Sequence, residues 1–483
     1  MSKLLVRSYC ADSQTPISLY EKLKNLPYSF LLESKTFNKL SRYSFLGAFP
    51  RFIISTDTES TRIIADMDLE NIGIKNTYTT DSLIDVLENV FKKLPKVDAI
   101  CPFSSGIVGY IGYECVRFYE KSLKFDKPAI FPDAMLFFPG LIIAFDHFTD
   151  TIYLMSHALY KSDEKRAEFF INEGEKFIQS TNNLNSASKS CLPNQDLSQG
   201  EGEDSNSNSI KSHIKKADFE NAVRRIKEYI RNGDTFQTVL SQRLSSNFFG
   251  NPYEFYRNLR RLNPSPYLFH IKLNDIVISG SSPETFLTLR DGKLFSRPIA
   301  GTRKRGKDPV EDKKLAKELL SDPKECAEHV MLVDLARNDL GRVCVPSSVK
   351  VEEFMKVENY SHVMHIVSEV TGILDKNISP LEAFFASFPA GTVSGAPKIR
   401  AMEIINSIES ERRGPYAGAV GYFDLSSNFD TCIAIRTAFF KGNKIYLQAG
   451  AGIVADSDPS SEYLETIHKA KALLSIVNKG NNL

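Results

Sequence analysis

Apolar side chains recur at helical spacing in residues 82–94 (Leu83, Val86, Leu87, Val90, Phe91) and 217–231 (Phe219, Val223, Ile226, Ile230), the second closed by Asn232-Gly233. Both patterns predict amphipathic helices, as do residues 163–180 and 399–408. Shorter apolar or alternating runs predict strands at 28–32, 44–46, 51–55, 106–113, 234–243, 276–280, 285–289 and 446–454. Residues 414–423 and 430–436 predict a strand pair with Arg436 emerging at its end. Mixed elements of this kind predict an α+β (mixed α/β) protein. Between 181 and 211 the chain turns to Asn, Ser, Gln, Gly and acidic residues. Such a segment buries too little apolar area to order itself, so a flexible linker or surface loop is expected between regions 1–180 and 212–483.

Two helix openings share one grammar. Asp322-Pro323 can cap and begin a helix that Gly341 ends, which places Glu325 and Glu328 one turn apart on one face. Asp458-Pro459 opens another with Glu462 and Glu465 at the same spacing, and Leu464, Ile467 and Leu473 give it an apolar side. A single Glu in a first turn is ordinarily a solvated residue favoured by the helix dipole. Two facing pairs would repel unless a cation lay between them. Mg²⁺ is the natural candidate, because it takes oxygen ligands and is commonly held by one or two carboxylates together with an anionic substrate.

Composition narrows the classes further. Hydrophobic residues make up 42% of the 483, enough for two or three buried cores, and 60 basic against 59 acidic side chains leave no global field for nucleic acid or an anionic membrane. Seven scattered cysteines, none in a Cys-x-x-Cys pair, predict free thiols in a reducing compartment. The N-terminus is too weakly apolar for a signal peptide, and a cytoplasmic protein without a membrane anchor is expected. The segment from Arg297 to Gly306 is rich in arginine and glycine but lacks P-loop spacing. Tyr360-Ser361-His362-Val363-Met364-His365 puts two histidines in a strand-like run, where a lone His is ordinarily a satisfied core residue.

Six segments taken in order resemble the chorismate-utilising enzymes, the anthranilate synthase component I group most closely. They are Phe236-Gln-Thr-Val-Leu-Ser-Gln-Arg243, Pro298-Ile-Ala-Gly-Thr-Arg303, Glu328-His-Val-Met-Leu-Val-Asp-Leu-Ala-Arg-Asn-Asp339, Ser361-His-Val-Met-His365, Pro389-Ala-Gly-Thr-Val-Ser-Gly-Ala-Pro-Lys398 and Gln448-Ala-Gly-Ala-Gly-Ile-Val-Ala-Asp-Ser457. The resemblance implies a two-lobed fold of large antiparallel sheets flanked by helices. It implies Mg²⁺ on Glu328 and Glu465, with Glu325 and Glu462 as further or water-mediated ligands. Gly301, Thr302 and Thr392 would line the ring pocket of chorismate, and Tyr416, Arg436 and the backbone of Gly450, Ala451 and Gly452 would hold its enolpyruvyl side. His365 would act as general acid or base at the departing 4-hydroxyl, with Thr392 beside it in the catalytic set.

The same resemblance orders the possible reactions. Water-using relatives carry a Lys where this chain has Gln237, which cannot serve as a base, and one large aminodeoxychorismate synthase subgroup carries a Lys where this chain has Ala300. Both departures imply ammonia as nucleophile and anthranilate with pyruvate as products, with aminodeoxychorismate formation for folate synthesis as the alternative. A tryptophan-binding regulator that has lost catalysis is the rival from another class. Glutamine hydrolysis is expected from a separate amidotransferase subunit. Leu31-Leu-Glu-Ser34 and Asn263-Pro-Ser-Pro-Tyr-Leu268 resemble the two halves of a tryptophan feedback pocket, implying that Ser34, Pro266, Tyr267 and Leu268 contact L-tryptophan as inhibitor.

Overall fold

The computed structural model describes residues 2–480 except 36–41, 66–68, 70–72, 80, 81, 181–209, 361 and 362. The expected linker, apart from its last two residues, and Ser361 and His362 therefore lie outside the described residues. Among the described residues twenty-two strands join one extended antiparallel sheet, with helices packed on its faces, as the expected fold class requires. The amphipathic patterns become the helices Leu83–Lys93, Glu164–Gln179, Lys216–Arg231 and Lys398–Ile408.

Two cross-chain strand pairings position everything that follows. Tyr28–Glu33 pairs with Tyr267–Leu273, setting Glu33 opposite Leu268, and Gly106–Ile111 pairs with Ala419–Asp424. The early strands are thus hydrogen-bonded neighbours of the late ones. Arg260 forks onto the Glu33 carboxylate at 2.9 and 3.0 Å, and the Tyr256 hydroxyl donates to it at 2.7 Å, so the buried charge at this junction is fully partnered.

Three elements depart from the sequence expectation, each for a local reason. The runs at 44–46 and 51–55 belong to one strand, Tyr43–Thr56, bent where Phe49 takes φ 60° and the register shifts after Pro50. A bulge accommodates Pro there without ending the strand. Asp163 precedes its helix instead of starting it, because its carboxylate is taken by buried Arg51 and the Leu159 amide. Lys350–Asn359, half of it charged, is a strand that pairs with Val363–Ile373 through two register shifts.

Among the described residues six cysteines are free thiols. No helix there is long and apolar enough to cross a membrane.

Candidate active site

The helices Pro323–Gly341 and Pro459–Gly480 form as their openings predict. Asp322 caps the first by accepting from Lys324 N at 3.0 Å and Glu325 N at 3.3 Å, and Asp458 accepts from Ser461 N at 2.9 Å on the second. Their first turns face each other. Burial holds Glu328 above the usual carboxylate range, Glu325 on its own helix and Glu465 from the other add repulsion, and Gln237 and Lys469 oppose it. Glu462 is likewise raised by burial and by Glu465, against the pull of Ser457, Lys324 and Lys469. Lys469 Nζ lies 2.6 Å from Glu465 Oε1 and 3.0 Å from Gly450 O. Lys469 and Lys324 are thus fewer than the carboxylates they serve. Among the described residues no three His, Cys, Asp or Glu side chains form a metal cage by themselves.

The strand Gln237–Asn247 enters beside these helices, paired with Lys444–Ile453 so that Gly450 faces Ser241 and Gly452 faces Val239. Small residues there keep the backbone open. A Cβ on Gly452 would lie 2.6 Å from Gln237 Nε2, and one on Gly450 would lie 2.9 Å from Tyr416 Oη. Ala451, between them, is buried. Arg436 follows the strand Phe429–Ile433 at φ 53°, a left-handed conformation that a non-glycine residue holds only when its surroundings fix it. Its guanidinium donates to Lys469 O at 2.8 Å and is partly buried, with Tyr416, Glu465 and Glu284 as its electrostatic neighbours.

Within electrostatic reach of Arg436 and Glu325, His365 in strand Val363–Ile373 has Nδ1 2.8 Å from Gly301 O and 3.1 Å from Thr302 Oγ1. A carbonyl only accepts, so Nδ1 carries the proton and Nε2 is the free nitrogen. Burial pushes this imidazole below its usual pKa, partly offset by the bond to Gly301, and keeps it neutral at pH 7. Gly301 itself takes φ +66°, and a Cβ there would meet Glu325 Oε2 at 3.2 Å. Glu325 is held in turn by Arg303, whose guanidinium also binds Asp322.

Glu284 and Lys469 were not anticipated from the sequence. Burial pushes the Glu284 carboxyl up to about 7 against the pull of Thr392, Lys469 and Arg436. The Thr392 hydroxyl beside it is buried and close enough to favour the charged form of Glu284, but lies outside good hydrogen-bond geometry to any described residue. The only sequence signal for Glu284 is the Pro283-Glu284 break between two strand-like runs. For Lys469 it is the i, i+4 position after Glu465. Pairwise contacts thus link His365 to Gly301 and Thr302, Gly450 to Tyr416 and Lys469, and, through electrostatic interaction, His365 to Arg436, Arg436 to Glu465 and Glu465 to Glu328.

Ser34, Pro266, Tyr267 and Leu268 come together elsewhere. They line a separate cavity of about 1430 Å³ whose walls also carry Tyr43, Phe45, Tyr422, Arg290 and Asp430. Lys35 N donates to Ser265 O at 3.2 Å, which closes the two contributing segments onto each other.

Residues 49–475 match the chorismate binding enzyme family. Anthranilate synthase component 1 of Aquifex aeolicus is 43% identical over 476 residues, covering 96% of this chain and 92% of that protein. The protein of the same name from Pseudomonas aeruginosa is 42% identical, covering 97% and 94%. The crystal structure of anthranilate synthase component I from Streptococcus pneumoniae superposes with a TM-score of 0.76 at 36% identity, covering 96% of this chain and 98% of that one. A menaquinone-specific isochorismate synthase from Escherichia coli shares the fold at TM-score 0.71 and 19% identity, covering 99% and 95%. The chain belongs to the chorismate-binding enzyme family and, within it, to the anthranilate synthase component 1 group.

Proposed function

We infer that the cleft aminates chorismate at ring C2 with loss of the 4-hydroxyl, then eliminates pyruvate to give anthranilate for tryptophan synthesis. The observation that supports this reading is the electrostatic linkage of Glu328 to Glu465, Glu465 to Arg436 and Arg436 to His365, since folding alone does not call for so many partly buried titratable groups together.

Magnesium fits the residues present. Two facing Glu pairs outnumber the cations beside them, Lys469, Lys324 and the Arg303 shared with Asp322, and burial with mutual repulsion holds Glu328 and Glu462 above the carboxylate range, a conflict that a hard dication relieves. Glu328 and Glu465 would hold it, with Glu325 and Glu462 adjacent. When bound it would anchor the ring carboxylate and draw electron density from the ring.

The chain's own residues divide the remaining work. Arg436, with Tyr416 and the open backbone at Gly450 to Gly452, would hold the enolpyruvyl carboxylate as a guanidinium fork. Glu284, protonated near neutral pH, would give its proton to the departing 4-hydroxyl, which leaves as water. Neutral His365, with Nε2 free, would then remove the proton from C2 as the C–O bond to the enolpyruvyl group breaks and the ring becomes aromatic. This moves His365 from the hydroxyl departure that the sequence resemblance implied to the second step. Thr392 would line the ring with its hydroxyl beside Glu284. Gln237 is a hydrogen-bond donor and no base, so the nucleophile is ammonia, which needs no activation.

Ammonia would come from a glutamine amidotransferase partner, in keeping with the relatives' designation as component 1. The second cavity would take L-tryptophan as feedback inhibitor. Its aromatic walls suit an indole, and Arg290 and Asp430 offer charges opposite to those of an amino acid's carboxylate and ammonium. A cytoplasmic setting agrees with the free thiols. Purified protein with chorismate and ammonium should form fluorescent anthranilate, lose that activity on chelation and regain it with Mg²⁺. Turnover unaffected by chelation would remove the metal from this reading.

A further inference from the structure

We propose that a hydrogen-bonded bridge, Tyr267 to Thr285 braced on Asp430, couples occupancy of the aromatic-lined cavity to the placement of Glu284 in the catalytic cleft. This rests on the reading of that cavity as a tryptophan site.

The Tyr267 hydroxyl lies 2.8 Å from Asp430 Oδ1 and 3.1 Å from Thr285 Oγ1. A carboxylate can only accept, so it takes the Tyr267 proton, and Tyr267 Oη is left to accept from Thr285. Thr288 Oγ1 donates to the same carboxylate oxygen at 3.0 Å, which fixes Asp430. Tyr267 and Asp430 both line the cavity, whereas Thr285 lines a small recess shared with Glu284 and Thr392. The bridge thus crosses from one compartment to the other in one side-chain contact.

Beyond Thr285 the path is covalent. Glu284 precedes it, with its carbonyl accepting from Ile433 N at 3.1 Å. The register against Phe429–Ile433 shifts between Thr285 and Leu287, a bulge that sets where the start of this strand points. The chain leaves the end of the strand that carries Asp430, Phe429–Ile433, and reaches Arg436 three residues later. Both Glu284 and Arg436 therefore hang from backbone whose cavity-facing side is held by Tyr267 and Asp430. A ligand seated against the Tyr267 ring displaces a phenol whose far end is tied to the residue after Glu284. Tight packing passes such a shift on instead of absorbing it. None of the proposed catalytic steps uses the Tyr267 hydroxyl, Thr285 or Asp430.

The test separates binding from its consequence. The chain contains no Trp, so the fluorescence of added L-tryptophan reports its binding without an indole background. Affinity and inhibition of anthranilate formation are measured for wild type, Thr285→Val, Thr285→Ser and Tyr267→Phe. Thr285→Val is expected to turn over without tryptophan and to bind it within about threefold of wild type, while inhibition at saturation weakens about tenfold. Thr285→Ser, which keeps the hydroxyl, should restore inhibition. Tyr267→Phe, judged against its own measured affinity, should lose it. Wild type that neither binds nor responds to tryptophan overturns the reading of the cavity and the bridge with it. Wild type that is inhibited, with Thr285→Val and Tyr267→Phe inhibited equally when saturated, overturns the bridge alone.

Discussion

Gln237 Nε2 donates to Glu328 Oε1 across 3.2 Å, joining the strand that enters the cleft to the first carboxylate helix. The bond holds one Glu328 oxygen with a neutral donor and leaves its negative charge in place. Glu328→Gln removes that charge while keeping the shape. Anthranilate formation should fall about 100-fold or more, and the melting temperature should hold or rise, because the repulsion with Glu325 and Glu465 is relieved. Activity near wild type in this variant would contradict the metal assignment.

Gly450 and Gly452 should respond differently to alanine. At Gly450 the added methyl meets Leu240 O at 3.0 Å and Tyr416 Oη at 2.9 Å, so backbone or a buried ring must move, at a cost of about 1–3 kcal/mol in denaturant unfolding. At Gly452 it meets the end of a side chain, Gln237 Nε2 at 2.6 Å, which can swing away. Gly452→Ala should stay folded as stably as wild type yet lose turnover, since the Gln237–Glu328 bond is broken.

His365→Asn keeps a donor toward Gly301 O but removes the base at Nε2. Amination should continue and elimination should stall, with anthranilate formation falling about 10²–10⁴-fold. Mass spectrometry of the products should then find an aminated ring that retains its enolpyruvyl group. Loss of chorismate consumption altogether would place His365 in the first step.

Glu284 sets a pH dependence whose sign follows from its raised pKa. The folded state holds this proton up to about 7, against an ordinary value of 4.5. Its contribution to stability is full below pH 4.5 and is lost as pH rises through 7. Glu284→Gln should therefore melt higher than wild type at pH 8, with the advantage shrinking toward pH 5. As the proton donor, Glu284 should also give wild type a falling limb in rate near pH 7 at constant free ammonia. The Gln variant should be slower and lack that limb.

The residues legible in the sequence were those whose neighbours along the chain betray them. Capped helices with paired Glu, the glycines of 448–457 and the histidine strand all carry local signatures, and the structure brings them together. Glu284 and Lys469 carry almost none. The chemistry of Glu284 arises from distant neighbours, Thr392 and Arg436, and what Lys469 adds beyond its local bond to Glu465 is its action on Glu328, on another helix. The strand Lys350–Asn359 was missed because its exposed charges hide the alternation, and pairing with Val363–Ile373 is what makes it a strand. That residues 28–33 would pair with 267–273, and so build the second cavity, depends on contacts that no short window contains.

The most direct measurement of the central claim is the product balance from chorismate, Mg²⁺ and saturating ammonium with the purified chain. One anthranilate and one pyruvate per chorismate consumed is the predicted result. An aminated product that keeps its pyruvyl group, or no turnover at all, would contradict it.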